Sequence, residues 1–378
     1  MAKVVIFGGA GRVGQQLAAE LTRAGLDIAI VDLIDGKQLG QIAARILNDS
    51  CLAVPDCRAR LSHHGGVNVL DIDRVSAVLA QEQPELVINY AIPITWDATK
   101  RLPNYARLSA AGLGAFTPIQ VAAPLVIARA MATRCPQAKL MVGNLPDITI
   151  PVINGCAQSE ALVRPACGAG NVGLMAAAVH RLAARELMAA PAQLNVKLVA
   201  HHVHWVAPRE PGYANDAPFL LRVSHEGEDV TSQFGDSRAL LNRAINDCYE
   251  PGAAFSSTTG ILAARNALAL LDPSPTVHKL HVPAPLGLPG GYPVRARQGA
   301  LELDLPPDWK RGDAVEKMAL ATSRDGVDQV LEDGSVLFAD YAQAILKEEL
   351  GFDLPTLMRA WEIEEVAAAQ IACIRAKF

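Results

Sequence analysis

The chain has 378 residues, enough for two ordinary domains with a sizeable core, and about half of them are apolar. A net charge of −5 with 19% charged residues leaves no electrostatic footprint for nucleic acid or an anionic membrane. No uninterrupted apolar run reaches the roughly 18 residues that a bilayer span needs, so no membrane partner is expected. Cysteines 51, 57, 135, 156, 167, 248 and 373 are odd in number and scattered without a CxxC pair, which reads as reduced thiols in a cytoplasmic protein. The first residues run directly into an apolar segment, so no leader peptide is expected.

That first segment, Val4 to Phe7, ends in Gly8-Gly9-Ala10-Gly11-Arg12-Val13-Gly14. An amphipathic stretch follows, Gly25 closes it, and a second apolar run ends at Asp32, 18 residues beyond Gly14. Strand, glycine turn, helix, strand and acid in this order form the fingerprint of a dinucleotide-binding unit. Gly9 permits the tight turn, Gly11 lets backbone approach a pyrophosphate, and Gly14 lets the helix pack close to the strand. The pyrophosphate is expected on the helix N-terminus, where unpaired N–H groups and the macrodipole favour an anion. Asp32 would accept hydrogen bonds from both ribose hydroxyls and repel a 2′-phosphate, favouring NAD over NADP.

Further along, helical patterns span 36–48 and 72–83, the second closed by Pro84, with a short strand near 58–63 between them. Residues 85–91 (ELVINYA) read as a buried parallel strand, 119–135 as a helix and 139–144 (KLMVGN) as the next strand. This alternation predicts an α/β fold whose N-terminal Rossmann domain, residues 1 to about 150, is a doubly wound parallel sheet. Ligands of such sheets bind outside the carboxyl ends of the strands, so Tyr90, Ala91 and Asn144 should line the cofactor crevice. A mixed α/β domain, residues 151–378, would carry substrate and oligomer contacts. Within it we expect a glycine-rich turn at 167–170, a helix over 171–189 and a strand over 195–206. Helices near 237–248 and 258–271 follow, then a strand pair turning at Gln298-Gly299, and a helical tail after residue 338.

His201, His202 and His204 fall on the expected 195–206 strand, whose alternation would put His202 and His204 on one face. Two imidazoles so placed serve as a base and its orienter, or chelate a metal. Asn144, at a strand end beside the nicotinamide site, is the candidate donor to a substrate oxygen. Tyr249, after a helix, is a weaker candidate base, and His63-His64 reads as a solvated loop pair.

The chain resembles the malate/lactate dehydrogenase superfamily. The turn Gly8-Gly9-Ala10-Gly11-Arg12-Val13-Gly14-Gln15 is very like theirs, and Gly143-Asn144-Leu145-Pro146-Asp147 is similar to their N-P-x-D motif with Pro displaced by one position. Val199-Ala200-His201-His202 stands where they carry the catalytic His, and Val282-Pro283-Ala284-Pro285-Leu286-Gly287 resembles their late strand. Where that family has an Asp to hold the imidazole and an Arg to clamp the substrate carboxylate, this chain has Met175 and Ala178. A 2-hydroxy acid needs a bidentate cation, so ordinary malate or lactate turnover is not expected. Arg101 and Arg107, on the loop after Tyr90, are candidates for an anion clamp from another side.

The chain also resembles the NAD- and metal-dependent family 4 glycosidases, whose His stands in a sequence similar to His202-Val203-His204-Trp205. That resemblance implies a divalent metal held by Cys167 and His202. Three functions follow as expectations. The first is an NAD-dependent oxidoreductase passing a hydride between nicotinamide and a polar alcohol or ketone, with His202 as acid/base, His204 or a backbone carbonyl as its orienter, and Asn144 on the reacting oxygen. The second is a metal-assisted glycosidase or lyase, and the third a non-catalytic NAD-binding protein. The superfamily resemblance implies a homodimer or homotetramer.

Overall fold

The computed structural model describes residues 3–210, 212–249 and 253–378. Strands β1 (Val4–Phe7), β2 (Ile28–Val31), β3 (Leu61–His64), β4 (Leu86–Asn89), β5 (Lys139–Val142) and β6 (Pro165–Gly168) form one sheet in the order β3-β2-β1-β4-β5-β6. Every neighbouring pair is parallel. Beta-1, β2 and β4 are buried at every position, because helices cover both faces. The order reverses between β1 and β4, and the crevice at that switch is where ligands of such sheets bind.

Helix α1 (Arg12–Arg23) follows β1, α2 (Gly36–Ala53) follows β2 and α3 (Ile72–Glu82) follows β3. Asp71 starts α3 by accepting the N–H groups of Asp73 and Arg74, and Gln83 ends it in the left-handed region just before Pro84. The helix Thr117–Arg134 joins β4 to β5 and is buried around nearly its whole circumference. With the turn before it, this segment is long and apolar enough to cross a membrane by length and composition, yet 89% of its 18-residue apolar window lies inside the protein. Its neighbours are α3 and the C-terminal helix Ile363–Arg375.

The remainder is mixed α/β, built on three small antiparallel sheets. Gly291–Arg297 pairs with Ala300–Leu303 through the expected turn, where Gln298 and Gly299 have φ of +51° and +73°. The helix Ala253–Leu271 returns to the N-terminal sheet and packs on α1, with Gly260 against Gln16 at a point where a side chain would not fit.

Two expectations need correction. Cys167 and Gly168 belong to β6 rather than to a turn, so the glycine turn is confined to the next two residues. The strand expected over 195–206 stops at Val199, and His202–Val206 is a short helix. The cause is local: the His201 ring accepts the Val203 N–H at 3.3 Å and caps a helical turn. His202 and His204 therefore do not share the face that strand alternation implied.

Candidate active site

The glycine turn has the shape that the sequence demands. Gly8 sits at φ +83°, which only glycine adopts cheaply. A Cβ on Gly9 would lie 2.5 Å from Ile30 Cβ, and one on Gly14 would press into the Gly8 carbonyl oxygen. Both glycines hold the turn against its neighbours, whereas Gly8, Ala10 and Gly11 line a cleft of about 750 Å³ at the carboxyl ends of β1, β2 and β4. Gly11 caps α1 without a side-chain hydrogen bond, and the first bond of the helix runs from Gln15 N–H to Gly11 O. The amides of Val13 and Gly14 thus stand outside the helix ladder, at its positive end. Asp32 faces this cleft from the end of β2, its carboxylate accepting the Ala10 and Leu33 N–H groups at 2.9 and 2.8 Å. Tyr90 and Ala91 line the opposite side as expected. Burial pushes the Tyr90 phenol well up, and its hydroxyl points away from the cleft to the Ala169 carbonyl. A bound dinucleotide fits this donor set: an anion cradle, a carboxylate for ribose, and apolar walls.

Asn144 lies at the edge of this cleft, not in its lining. Its Nδ2 donates to the Ala91 carbonyl at 3.0 Å and its Oδ1 accepts from Asn89 at 3.1 Å, so both ends of the amide tie the loops after β4 and β5 together. Next along the chain, Leu145 is forced to φ +38°, and Pro146 starts the helix Pro146–Cys156. That sharp turn buries Asp147, whose carboxyl is pushed up to about 7 by burial, offset in part by the His202 charge and the His202 backbone amide.

His202 is the centre of the second constellation. Its Nδ1 is 3.1 Å from Oδ2 of Asp325, a side chain with no exposure at all. Asp325 comes from the turn after the helix Arg311–Ser323, more than a hundred residues away. The Leu113 N–H donates to its Oδ1 at 2.9 Å and the Gly114 N–H to its carbonyl at 2.8 Å. Gly112, at φ +80°, brings this clamp so close to Asp325 that no Cβ would fit. Burial pulls the His202 pKa down, but the charge and hydrogen bond of Asp325 outweigh it, and the ring ends above its ordinary value. With Nδ1 committed to Asp325, Nε2 is the nitrogen left for a substrate.

The other expected residues lie elsewhere or have other partners. His204 is buried, with Nδ1 on the His201 backbone and Nε2 3.0 Å from the Ala217 carbonyl, and burial takes its pKa down to about 4. It is a neutral packing residue and does not orient His202; Asp325 does. Arg107 is paired with Glu348 and Glu349 at 2.8 and 2.9 Å, Arg101 is exposed, and neither is among the charges that shift His202. Cys167 sits in the apolar core with Met141 and Ala169, and burial pushes its thiol up to about 12. Among the described residues, no group of three or more His, Cys, Asp or Glu side chains converges as a metal site would. Tyr249 donates to the Leu174 carbonyl, its phenol pushed up to about 12 by burial, so it is no base. His63 and His64 form part of β3, and His64 is bound to Glu82 at 2.6 Å rather than solvated.

Asp325 is the partner of His202 that sequence reasoning missed. An acid followed by glycine after a helix is an ordinary turn signal, and nothing local ties it to a histidine 123 positions earlier.

No family model and no curated protein matches the chain. Solved structures do. The malate dehydrogenase of Cryptosporidium parvum is similar at a TM-score of 0.56 and 18% identity, over 85% of this chain and 96% of that one. The lactate dehydrogenase of Eimeria maxima, solved with NADH and oxamate, is similar at 0.54 and 14% identity, over 86% and 96%. The lactate dehydrogenase of Cryptosporidium parvum, complexed with lactic acid and its dinucleotide, gives 0.53 and 15% over 86% and 98%. At such identities the likeness is one of fold: a Rossmann sheet followed by a mixed α/β half.

Proposed function

We propose that the chain is an NAD-dependent oxidoreductase for a polar alcohol or ketone, with His202 as acid/base and Asp325 as its positioning residue. The observation that carries the reading is the buried His202–Asp325 hydrogen bond; beside it Asp147 takes the His202 backbone amide, and Asn144, three residues earlier, bonds the Ala91 carbonyl of the cleft wall. Gly8, Ala10, Gly11 and the start of α1 would hold the pyrophosphate, and Asp32 the ribose of NAD. When bound, the nicotinamide supplies the hydride acceptor or donor.

The chain's own residues manage the proton. As an alcohol is oxidised, His202 Nε2 takes its hydroxyl proton; Asp325 fixes the tautomer with Nδ1–H and stabilises the imidazolium that forms. In reduction the same nitrogen returns the proton to the carbonyl oxygen. Met175 and Ala178 stand where the dehydrogenases carry their Asp and Arg, and the cation whose charge reaches His202 is instead Arg209, stacked on Trp205 and donating to its carbonyl.

The test is NADH absorbance on a panel of polar alcohols with wild type and His202→Ala. Loss of a positioned acid/base should lower kcat by about 10²–10⁴-fold. Undiminished turnover in the variant removes His202 from the mechanism.

A further inference from the structure

We infer that the C-terminal helix Ile363–Arg375 is the outer wall of the adenosine half of the cofactor cleft, so that a segment from the far end of the chain selects adenine-containing ligands. The inference rests on the dinucleotide reading of that cleft and adds a binding surface that the glycine turn does not contain.

The argument starts from the direction of the helix. Arg129 pairs with Glu364 in its first turn, while Gln370, fully buried, donates to the Ala115 carbonyl at 3.0 Å. The C-terminal helix therefore runs antiparallel to Thr117–Arg134. That helix follows β4, so it begins at the carboxyl edge of the sheet, where ligands bind. The last turns of the C-terminal helix are thus carried towards the ligand edge.

The middle of its cleft-facing stretch is small and apolar. Ala367, Ala368, Ile371 and Ala372 line the same cleft as Asp32, between Glu364, which is paired with Arg129, and Arg375. The strand ends beyond Asp32 offer Ile34, Val69 and Leu70 to that cleft. Val67 and Val69, from the loop after β3, line that cleft together with Ile371. A purine is flat with apolar faces, and a slot between alanines and aliphatic side chains accepts it, while Asp32 holds the adjoining ribose. Arg375 places a cation where an anionic dinucleotide would enter.

The experiment measures affinities of NADH, ADP-ribose and reduced nicotinamide mononucleotide for wild type, Ala368→Trp and Ala372→Glu. Both alanines are exposed, so the fold tolerates the changes, and thermal melting checks it. The first substitution fills the slot; the second puts a carboxylate in it. The expected result is at least a tenfold loss of affinity for NADH and ADP-ribose in both variants, with the mononucleotide affinity unchanged. Wild-type binding of ADP-ribose that neither variant weakens overturns the inference and leaves the dinucleotide reading standing. A wild type that binds none of the three ligands overturns that reading, and this inference with it.

Discussion

Replacing Asp325 by Asn tests the centre of the proposed chemistry while preserving shape. The amide keeps an Oδ1 to accept the Leu113 N–H, so the clamp on the turn survives. What disappears is the negative charge 3.1 Å from His202 Nδ1, in a position with no exposure. A hydrogen bond to a charged partner contributes about 1.5–3 kcal/mol, which corresponds to about 10- to 150-fold in a rate that depends on it. The imidazolium loses its counter-charge while the desolvation that opposes protonation remains, so the His202 titration must move to lower pH. We expect kcat to fall by about 10- to 150-fold with KM little changed, because Asp325 acts through His202. The limb of the pH–rate profile that reports His202 should move to lower pH. Steady-state kinetics on any alcohol that the wild type oxidises measures the first two, and NMR titration of His202 measures the third without a substrate. Turnover within threefold of wild type, with an unmoved His202 titration, would refute the dyad.

Two further outcomes follow from the same geometry. The Asp147 carboxyl keeps its proton to about pH 7 in the folded chain but only to about 3.8 when unfolded, so stability falls as pH rises between those values. Asp147→Asn removes that slope: its stability relative to wild type, read by urea unfolding, should improve by about 2–3 kcal/mol from pH 5 to pH 8, and an equal difference at both pH values contradicts the burial argument. Gly14→Ala forces a methyl into the Gly8 carbonyl, costing about 1–3 kcal/mol in thermal unfolding and abolishing NADH fluorescence enhancement. Unaltered NADH binding in this variant would mean that the turn does not hold the dinucleotide.

The cofactor half of the site was legible because each signal is local. Gly8 to Gly14, Asp32 and the apolar runs on either side lie within about thirty residues, and hard-sphere geometry makes glycine obligatory where the chain turns and packs most tightly. The alternation of strand and helix extended the same reading to β4, β5 and the edge residues Tyr90 and Ala91. The expected helix starts at 36 and 72 agree with the structure, since Asp35 and Asp71 cap them through contacts only two or three residues long.

The histidines were not legible in the same way. Strand alternation grouped His202 with His204, but one side-chain cap at His201 turned that segment into a helix and left His204 with backbone partners. The orienting acid entered from Asp325, the cleft gained a wall from residues 363–375, and Arg107 was drawn to Glu348 and Glu349. The sequence by itself therefore determined the parallel sheet and the glycine turn, both set by short-range sterics and periodicity. Only the tertiary structure decided which carboxylate meets His202 and which helix lines the glycine-turn cleft. Those pairings arise from packing between segments more than 100 residues apart, where no spacing rule operates.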